Sequence, residues 1–233
     1  MRNIALLLVG LMMALGCAGT PTVSPSDSDK RVERERGPTM EVTEADVTLR
    51  ATSGTWRWNP TDLDQFVTPM LLEIENDSDR PVRIRFQDIR MVGDNGVYLA
   101  ALPPYDIRGE TTRTVQSHAY THDGFVVAHH VHPYYPRHPR SRHHYYHDYY
   151  YYRTYHPVYQ TYTIRLPTTD MLQRGLPEGV VEPGGRAMGF VYFQPVTRNI
   201  ARRTATLDLL FQIIDAENQA DLGVLSVGYN VRR

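Results

Sequence analysis

The sequence predicts an all-β protein built as an antiparallel β-sandwich. From residue 41 onward, short segments alternate apolar and polar residues with a period of two, which is the pattern of a strand with one buried face. Segments rich in Gly, Pro, Asn and Asp separate them, and hardly any segment has the periodicity of a helix. Seven or more short strands arranged in this way are typical of a sandwich rather than of βαβ units.

The first clear strands are residues 70–75 and 82–87. In each, every second residue is apolar and the residues between are mostly charged. A turn-forming Asn-Asp-Ser-Asp-Arg-Pro segment joins them, so they are predicted to pair as a hairpin. Its outer face would bring two glutamates close to two arginines, namely Glu73, Glu75, Arg83 and Arg85.

The remaining elements follow in order along the chain. Residues 89–92 and 97–101 are joined by a turn that contains the Asn-Gly pair favoured in hairpins, Asn95-Gly96. Further strands are predicted at residues 162–166, 187–194, 206–213 and 225–231, and a short helix at residues 168–174. These elements make one domain, residues 41–233, with an insertion at about residues 105–160.

The start of the chain has the composition of an export signal. A cationic beginning at Arg2 precedes an apolar run over residues 4–15. A helix needs roughly 20 apolar residues to span a bilayer, so this run is too short for a transmembrane segment and suits a secretory signal peptide. Residues 1–16 are therefore predicted to be removed on export.

The signal ends in Ala14-Leu15-Gly16-Cys17, which contains the only cysteine of the chain. The segment resembles the lipobox of bacterial lipoproteins, where Leu, a small residue and Gly or Ala precede a lipid-modified Cys; Ala14 and Leu15 depart from that pattern. The resemblance implies that Cys17 is the acylated N-terminus of a membrane-anchored envelope protein. Ala18, in place of Asp, favours the outer membrane, on its periplasmic or surface side. Because Ala14-x-Gly16 also suits ordinary signal peptidase, a freely secreted form is the alternative.

Residues 17–40 are predicted to be a lipid-anchored, disordered tether. Beyond Cys17, only Val23, Val32 and Met40 are larger apolar residues, and Pro, Ser, Asp and alternating charges fill the rest. Such a segment has too little apolar surface to offset the entropy lost on ordering.

Three stretches carry a resemblance to a known kind of domain. They are LLEIENDSDRPVRIRF, NGVYLAALPP and VEPGGRAMGFVYFQ. In them, an Asn-containing turn joins two strands and a Pro-Gly turn precedes a Gly-Phe-x-x-Phe strand. This resembles the immunoglobulin-like domains of uncharacterised bacterial envelope lipoproteins. The resemblance implies an immunoglobulin-like β-sandwich and no activity.

The insertion has an unusual composition. All ten histidines and ten of the sixteen tyrosines fall within residues 118–156. Residues 132–157 contain no Ala, Val, Ile, Leu, Met or Phe, so this His/Tyr-rich segment cannot form an ordinary core. We expect a long, mobile, low-complexity loop.

Three interpretations of the insertion are possible: two binding functions and no function. The first is binding of Zn, Cu or Ni, because neutral imidazole suits these metals. The second is binding of anionic envelope polymers, which would strengthen when the histidines become protonated near pH 6.5. The third is none, since an exposed low-complexity loop is tolerated at a domain surface. The candidate metal ligands are His118, His122, His129, His130, His132, His143, His144 and His147.

Outside the insertion, two pairs of residues merit attention. Trp56 and Trp58 would share one face of a strand and form a carbohydrate platform, although large aromatics more often pack in a core. Asp62 and Asp64 have the spacing of a carboxylate pair, but their neighbours are typical of a turn with capping residues.

The sequence favours a non-catalytic binding or structural module of the envelope. It contains no nucleophile elbow, phosphate loop, dinucleotide-binding glycine pattern or calcium loop. A formal charge of −1 gives no strong field for nucleic acid. We expect no resident cofactor and, besides the membrane, a protein or anionic polymer partner. The enzymatic alternative is a hydrolase with a metal held by His143, His144 and His147.

Overall fold

The computed structural model describes residues 20–28, 30–122, 125–127 and 156–232. The chain divides into two compact units, with boundaries after Gly109 and after Ile164. The first unit comprises the described residues up to Gly109 and from Arg165 onward, and the second comprises the described residues between Glu110 and Ile164. Within the described residues, no helix has the length and apolarity needed to cross a bilayer.

Strands dominate the described chain. They are β1 Thr22–Pro25, β2 Arg31–Arg34, β3 Gly37–Glu44, β4 Val47–Ser53, β5 Thr68–Asn76, β6 Val82–Ile84, β7 Ile89–Gly93, β8 Tyr98–Leu102, β9 Gly109–His122, β10 Phe125–Val127, β11 His156–Leu166, β12 Gly179–Val181, β13 Gly185–Phe193, β14 Thr206–Asp215 and β15 Asp221–Arg232. The helices are α1 Thr169–Arg174 and α2 Arg198–Arg203, and 3-10 turns lie at Leu63–Gln65, Phe86–Asp88 and Pro104–Asp106.

The first unit is one antiparallel system of strands in a sandwich or barrel-like arrangement. Its order is β1-β15-β14-β7-β8-β13-β5-β4-β3-β2, with β6 paired to β14 and β12 paired to β6. β8 joins two halves of this order, which are β1-β15-β14-β7 with β6 and β12, and β13-β5-β4-β3-β2. Leu99 of β8 is opposite Met91 of β7, and Leu102 is opposite Tyr192 of β13. The prediction of an all-β, antiparallel fold is confirmed.

The core lies between the two halves and follows the two-residue period of the strands. Leu49 and Leu72 point inward from one half, and Leu209 and Phe211 point inward from the other; none of the four is exposed. Full burial of such a side chain stabilises a fold by about 1.5–3 kcal/mol. The alternation seen in the sequence is thus the alternation between core and surface.

Several predicted elements are present. β7 and β8 pair around the predicted turn, where the Gly93 amide donates to the Val97 carbonyl oxygen over 2.8 Å. The predicted helix is α1, which Thr168 caps by accepting a hydrogen bond from the Met171 amide. β14 and β15, the last two strands, pair along their length.

The predicted hairpin between residues 70–75 and 82–87 is wrong. β5 lies instead between β4 and β13, with Leu72 opposite both Ala51 and Gly189. β6 pairs with β14 and β12 in the other half of the sandwich. The connection crosses between the halves around Asn76, whose side-chain amide donates to the carbonyl oxygens of Arg80 and Val181 over 2.8 and 2.9 Å.

The predicted disordered tether is also wrong from Thr22 onward. β1 pairs with β15, and β2 and β3 extend the opposite edge of the strand system. Met40, at the end of the expected tether, is fully buried. The segment is ordered because its backbone donors and acceptors complete ladders with existing strands, which needs few apolar side chains. Cys17 lies outside the described residues.

The second unit contains a three-stranded sheet in the order β10-β9-β11. β9 and β10 are antiparallel, with Phe125 opposite His122. The hydroxyls of Thr114 and Thr161 are 3.3 Å apart. Regular strands therefore replace both ends of the loop predicted at about residues 105–160, while residues 128–155 lie outside the described part of the chain.

Candidate functional site

The histidines proposed as metal ligands fall mostly outside the described residues. Only His118 and His122 are described, both on β9. A spacing of four brings residues together on a helix, whereas on a strand it separates their Cα atoms by about 13 Å. No group of three or more potential metal ligands occurs in the described ranges. The undescribed candidates are His129, His130, His132, His143, His144 and His147.

The predicted tryptophan pair is in contact, but not on a strand. Trp56 is buried, and its indole N–H donates to the Pro60 carbonyl oxygen over 2.8 Å. Its ring meets Phe190 edge to face at 5.1 Å and Tyr192 at 6.0 Å. Trp56 is therefore a core residue, as the alternative to the carbohydrate platform predicts.

Trp58 lies above this core and is partly exposed. Its ring is 5.4 Å from Trp56 and 5.5 Å from Phe190, both edge to face. The guanidinium carbon of Arg174 lies 4.0 Å from the centroid of the same ring. This cation–π contact fixes an arginine beside the more exposed of the two tryptophans.

Trp58 and Arg174 line an open surface groove of about 490 Å³, which we call the arginine groove. Of the described residues that line it, three are arginines and none carries a carboxylate. The full lining is Arg36, Thr55, Arg57, Trp58, Leu71, Gln173, Arg174, Met188, Gly189 and Phe190.

Separate elements bring the three arginines together. Arg36 occupies the turn between β2 and β3, and its Nη1 is 3.1 Å from the Met188 Sδ. Arg57 follows β4, and its Nη1 donates to the Trp56 carbonyl oxygen over 2.7 Å. Arg174 is the last residue of α1. The groove is thus assembled by tertiary structure from three distant parts of the sequence.

Two hydrogen bonds clamp α1 against the tryptophan segment. The Thr168 hydroxyl donates to the Asn59 carbonyl oxygen over 2.6 Å. The backbone N–H of Asn59 donates to the Asp170 Oδ2 over 3.0 Å. These bonds fix the start of the helix beside Asn59, and this places Arg174 over Trp58.

The charge of the groove comes from its three arginines. Among the described residues, none of the ion pairs includes Arg36, Arg57 or Arg174. A guanidinium fork binds a carboxylate or phosphate through two parallel hydrogen bonds. The groove therefore has the chemistry of a binding site for an anionic group.

A neighbouring surface on β3, β4, β5 and β13 provides the contrast. Arg50 Nη1 is 2.5 Å from the Glu75 Oε2, and its Nε is 3.0 Å from the Glu41 Oε2. Arg186 Nη2 is 2.8 Å from the other oxygen of Glu75. Glu73 also contacts Arg50 and Arg186. Here the arginines are compensated, so this cluster is a structural ion-pair network.

The network shifts the pKa values of Glu75, Arg50 and Glu41. Hydrogen bonds from Arg186 and Arg50 lower the pKa of Glu75 to about 2. Burial alone would lower the pKa of Arg50, but hydrogen bonds to Glu75 and Glu41 outweigh it and raise that pKa. Burial likewise opposes ionisation of Glu41, yet Arg34 and Arg50 lower its pKa. All these groups are charged at neutral pH.

Asp62 and Asp64 lie in a turn, as their sequence context predicts. Asp62 precedes the 3-10 turn Leu63–Gln65, and its carbonyl oxygen accepts from the Gln65 amide over 3.1 Å. Its side chain makes no capping hydrogen bond to that turn. Asp64 lines a smaller pocket of about 220 Å³ together with Thr22 and Arg57.

Sequence reasoning missed the arginine groove. Arg36 lies in the segment predicted to be disordered. Arg174 is the last residue of a short helix whose sequence contains no motif that indicates a binding site. The one available signal was the Trp56-x-Trp58 pair with Arg57 between its members.

Comparison with protein-family models, with curated proteins and with solved structures finds no match for this chain.

Proposed function

We propose that this protein is a non-catalytic binding module of the bacterial envelope, attached to the membrane through an acylated Cys17, and that it binds anionic groups in the arginine groove. The observation that carries the proposal is the grouping of Arg36, Arg57 and Arg174 around Trp58 without a carboxylate in the lining. Bidentate hydrogen bonds would supply the affinity, and the exposed part of Trp58 would supply an apolar contact.

Support for export and anchoring comes from the sequence. The apolar run at residues 4–15 and Cys17 after Gly16 have the form of a lipoprotein signal. Two or more acyl chains hold a protein firmly on a membrane, whereas one holds it only marginally. Because the chain has a single cysteine, Cys17→Ser removes this anchor without affecting any disulfide.

Binding rather than catalysis is proposed because of the residue types in the groove. Arginine stays protonated at physiological pH and therefore cannot serve as a general base. Its fixed donors instead suit the recognition of an anion. The Gln173 side chain in the lining adds a neutral hydrogen-bonding group.

The anion-binding proposal is tested by calorimetry with inorganic polyphosphate. The protein is the mature chain, residues 17–233, carrying Cys17→Ser. At pH 7.5, where an imidazole of ordinary pKa is mostly neutral, the double variant Arg57→Gln/Arg174→Gln is expected to bind at least tenfold more weakly. The matched control is Arg90→Gln/Arg203→Gln, which removes the same charge from β7 and α2, outside the groove.

Equal weakening in the two double variants would show that only net charge matters, and it would refute the groove as the site. The anchor has its own test, which is mass spectrometry of the mature N-terminal peptide. An acylated Cys17 is expected, and Cys17→Ser is expected to move the protein from the membrane fraction to the soluble fraction.

The insertion supports two alternatives, both of which rest on its composition. One is transition-metal binding through clustered imidazoles, and the other is binding of anionic polymers that strengthens as the histidines gain protons. In the second alternative, binding depends on pH between 7.5 and 5.5, whereas binding through arginines alone does not.

A further inference from the structure

We infer that the arginine groove contacts the headgroup phosphates of the bilayer that holds the lipid anchor, so that this end of the sandwich docks on an anionic membrane surface. The inference rests on the proposed function, because it takes both the acylated Cys17 and the anion-binding groove from it. It adds the identity of the anion and the orientation of the domain.

The chain between the lipid anchor and the fold is short. β1 begins at Thr22, five residues after Cys17. An extended chain spans at most about 3.6 Å per residue, so Thr22 lies within about 18 Å of the acylated residue. β1 is in turn fixed to the sandwich, since Thr22 pairs with Arg232 and Val23 with Val231. The folded unit is therefore held close to the bilayer by its β1 end.

The arginine groove lies near that same end of the folded unit. Arg57 lines the arginine groove and also lines the smaller pocket beside Thr22. The same pocket includes Ser53, the last residue of β4, and Thr68, the first residue of β5. The groove thus begins at the end of the sandwich where the anchored strand begins.

The side chains of the groove suit the surface of an anionic membrane. Arginines near an anionic leaflet strengthen binding by about fivefold each, and tryptophan favours the membrane interface. Met188, which also lines the groove, is 45% exposed, so an apolar side chain is available beside the charges. Cationic, aromatic and aliphatic groups together fit the headgroup region of a bilayer.

A soluble anionic polymer is the competing occupant. The short connection favours the membrane, because it keeps headgroups at a high local concentration near the groove whether or not a polymer is present. The two occupants are distinguished by binding to vesicles and to polyphosphate with the same set of variants.

The experiment is co-sedimentation of the non-acylated mature chain, residues 17–233 with Cys17→Ser, at pH 7.5 and about 0.1 M salt. Vesicles of phosphatidylcholine with phosphatidylglycerol are compared with vesicles of phosphatidylcholine alone. We expect binding to the anionic vesicles only, and about 25-fold weaker binding for Arg57→Gln/Arg174→Gln. The control Arg90→Gln/Arg203→Gln is expected to lose much less.

The outcomes separate this inference from the proposed function. Polyphosphate binding that depends on the groove, without binding to anionic vesicles, overturns membrane docking and leaves the anion site in place. Loss of groove dependence for both probes overturns both. Equal weakening of vesicle binding in the two double variants overturns docking through the groove.

A second measurement keeps the arginines intact. Acylation consumes Cys17, so an introduced cysteine is the only free thiol for an environment-sensitive fluorophore. A label at Gln173→Cys, in the groove, is expected to shift to the blue when the acylated protein is reconstituted in anionic vesicles. A label at Glu217→Cys is expected not to shift. Glu217 precedes Asp221, the first residue of β15, whereas Thr22 pairs with Arg232 at the other end of that strand, roughly 35 Å away along it. Equal shifts at both positions would overturn the proposed orientation.

Discussion

The Tyr229 hydroxyl donates a hydrogen bond to the Ala51 carbonyl oxygen over 2.8 Å, which joins β15 to β4 through the buried interior of the strand system. Neither residue is exposed. Burial raises the pKa of Tyr229 well above its ordinary value, so the phenol remains protonated and able to donate. One polar contact thus crosses a core that is otherwise formed mainly by aliphatic and aromatic side chains.

Tyr229→Phe is expected to reduce the free energy of unfolding by about 0.5–1.5 kcal/mol, because it removes a buried hydrogen bond while keeping the ring. The melting temperature should fall by about 2–4 °C for each kcal/mol. Urea unfolding provides the measurement, with Tyr98→Phe as the control, since Tyr98 is 55% exposed. The same loss in both variants would argue against a special role for the contact with Ala51.

Gly189→Ala is expected to destabilise the protein by about 1–3 kcal/mol. A Cβ at Gly189 would lie 2.5 Å from the backbone nitrogen and Cα of Leu176, where the chain after α1 packs on β13. Gly179→Ala is the matched control, because a Cβ there has no atom within 4 Å. The measurement is thermal unfolding by circular dichroism, and equal melting temperatures for the two variants would contradict this account of close backbone packing.

Glu75 is expected to make the fold sensitive to acid. Its pKa is about 2 in the folded state against an ordinary value of 4.5. The depressed pKa means that Glu75 stabilises the fold fully above pH 4.5 and loses this contribution as the pH falls towards 2.

Glu75→Gln should therefore lower the melting temperature by about 2 °C at pH 6, because ion pairs in a partly exposed network have a modest effect. The difference from the wild type should shrink as the pH approaches 2. Glu217→Gln, on an exposed turn, is the control for the removal of one carboxylate and should change the melting temperature less than Glu75→Gln at pH 6. A constant difference at every pH would rule out ionisation of Glu75 as the cause.

The metal-binding alternative predicts that the variant His143→Ala/His144→Ala/His147→Ala binds Zn, Cu or Ni at least tenfold more weakly than the wild type. Calorimetric titration of the mature chain at pH 7.5 is the measurement, and binding should weaken at pH 5.5 because protons compete for imidazole. The control Tyr149→Phe/Tyr150→Phe/Tyr151→Phe changes the same part of the sequence without removing a ligand. Millimolar affinity in the wild type would count against a metal site.

The sequence predicts individual strands better than it predicts their partners. The alternation in β5 and β6 is real, but each strand pairs across the fold rather than with the other. Alternation reports which face of a strand is buried, and this is the same for any partner. The β7–β8 hairpin could be predicted because its turn residues, Asn95-Gly96, themselves specify the pairing.

The error over the first strands has a similar physical origin. β1 contains only one large apolar residue, Val23, and is ordered through pairing with β15 at the other end of the chain. A composition measured over a short window contains no information about such a distant partner. The arginine groove escaped prediction for the same reason, because Arg36, Arg57 and Arg174 meet only after folding.

The pairing of β1 with β15 also constrains the order of assembly. A nascent chain that has not yet reached β15 lacks the strand with which β1 pairs, so this edge of the strand system forms only after the 12 residues of β15 have been synthesised. Contacts between residues so far apart in sequence are slow to form, because loop closure has to precede them. A deletion that removes β15 should therefore also release β1 from the fold.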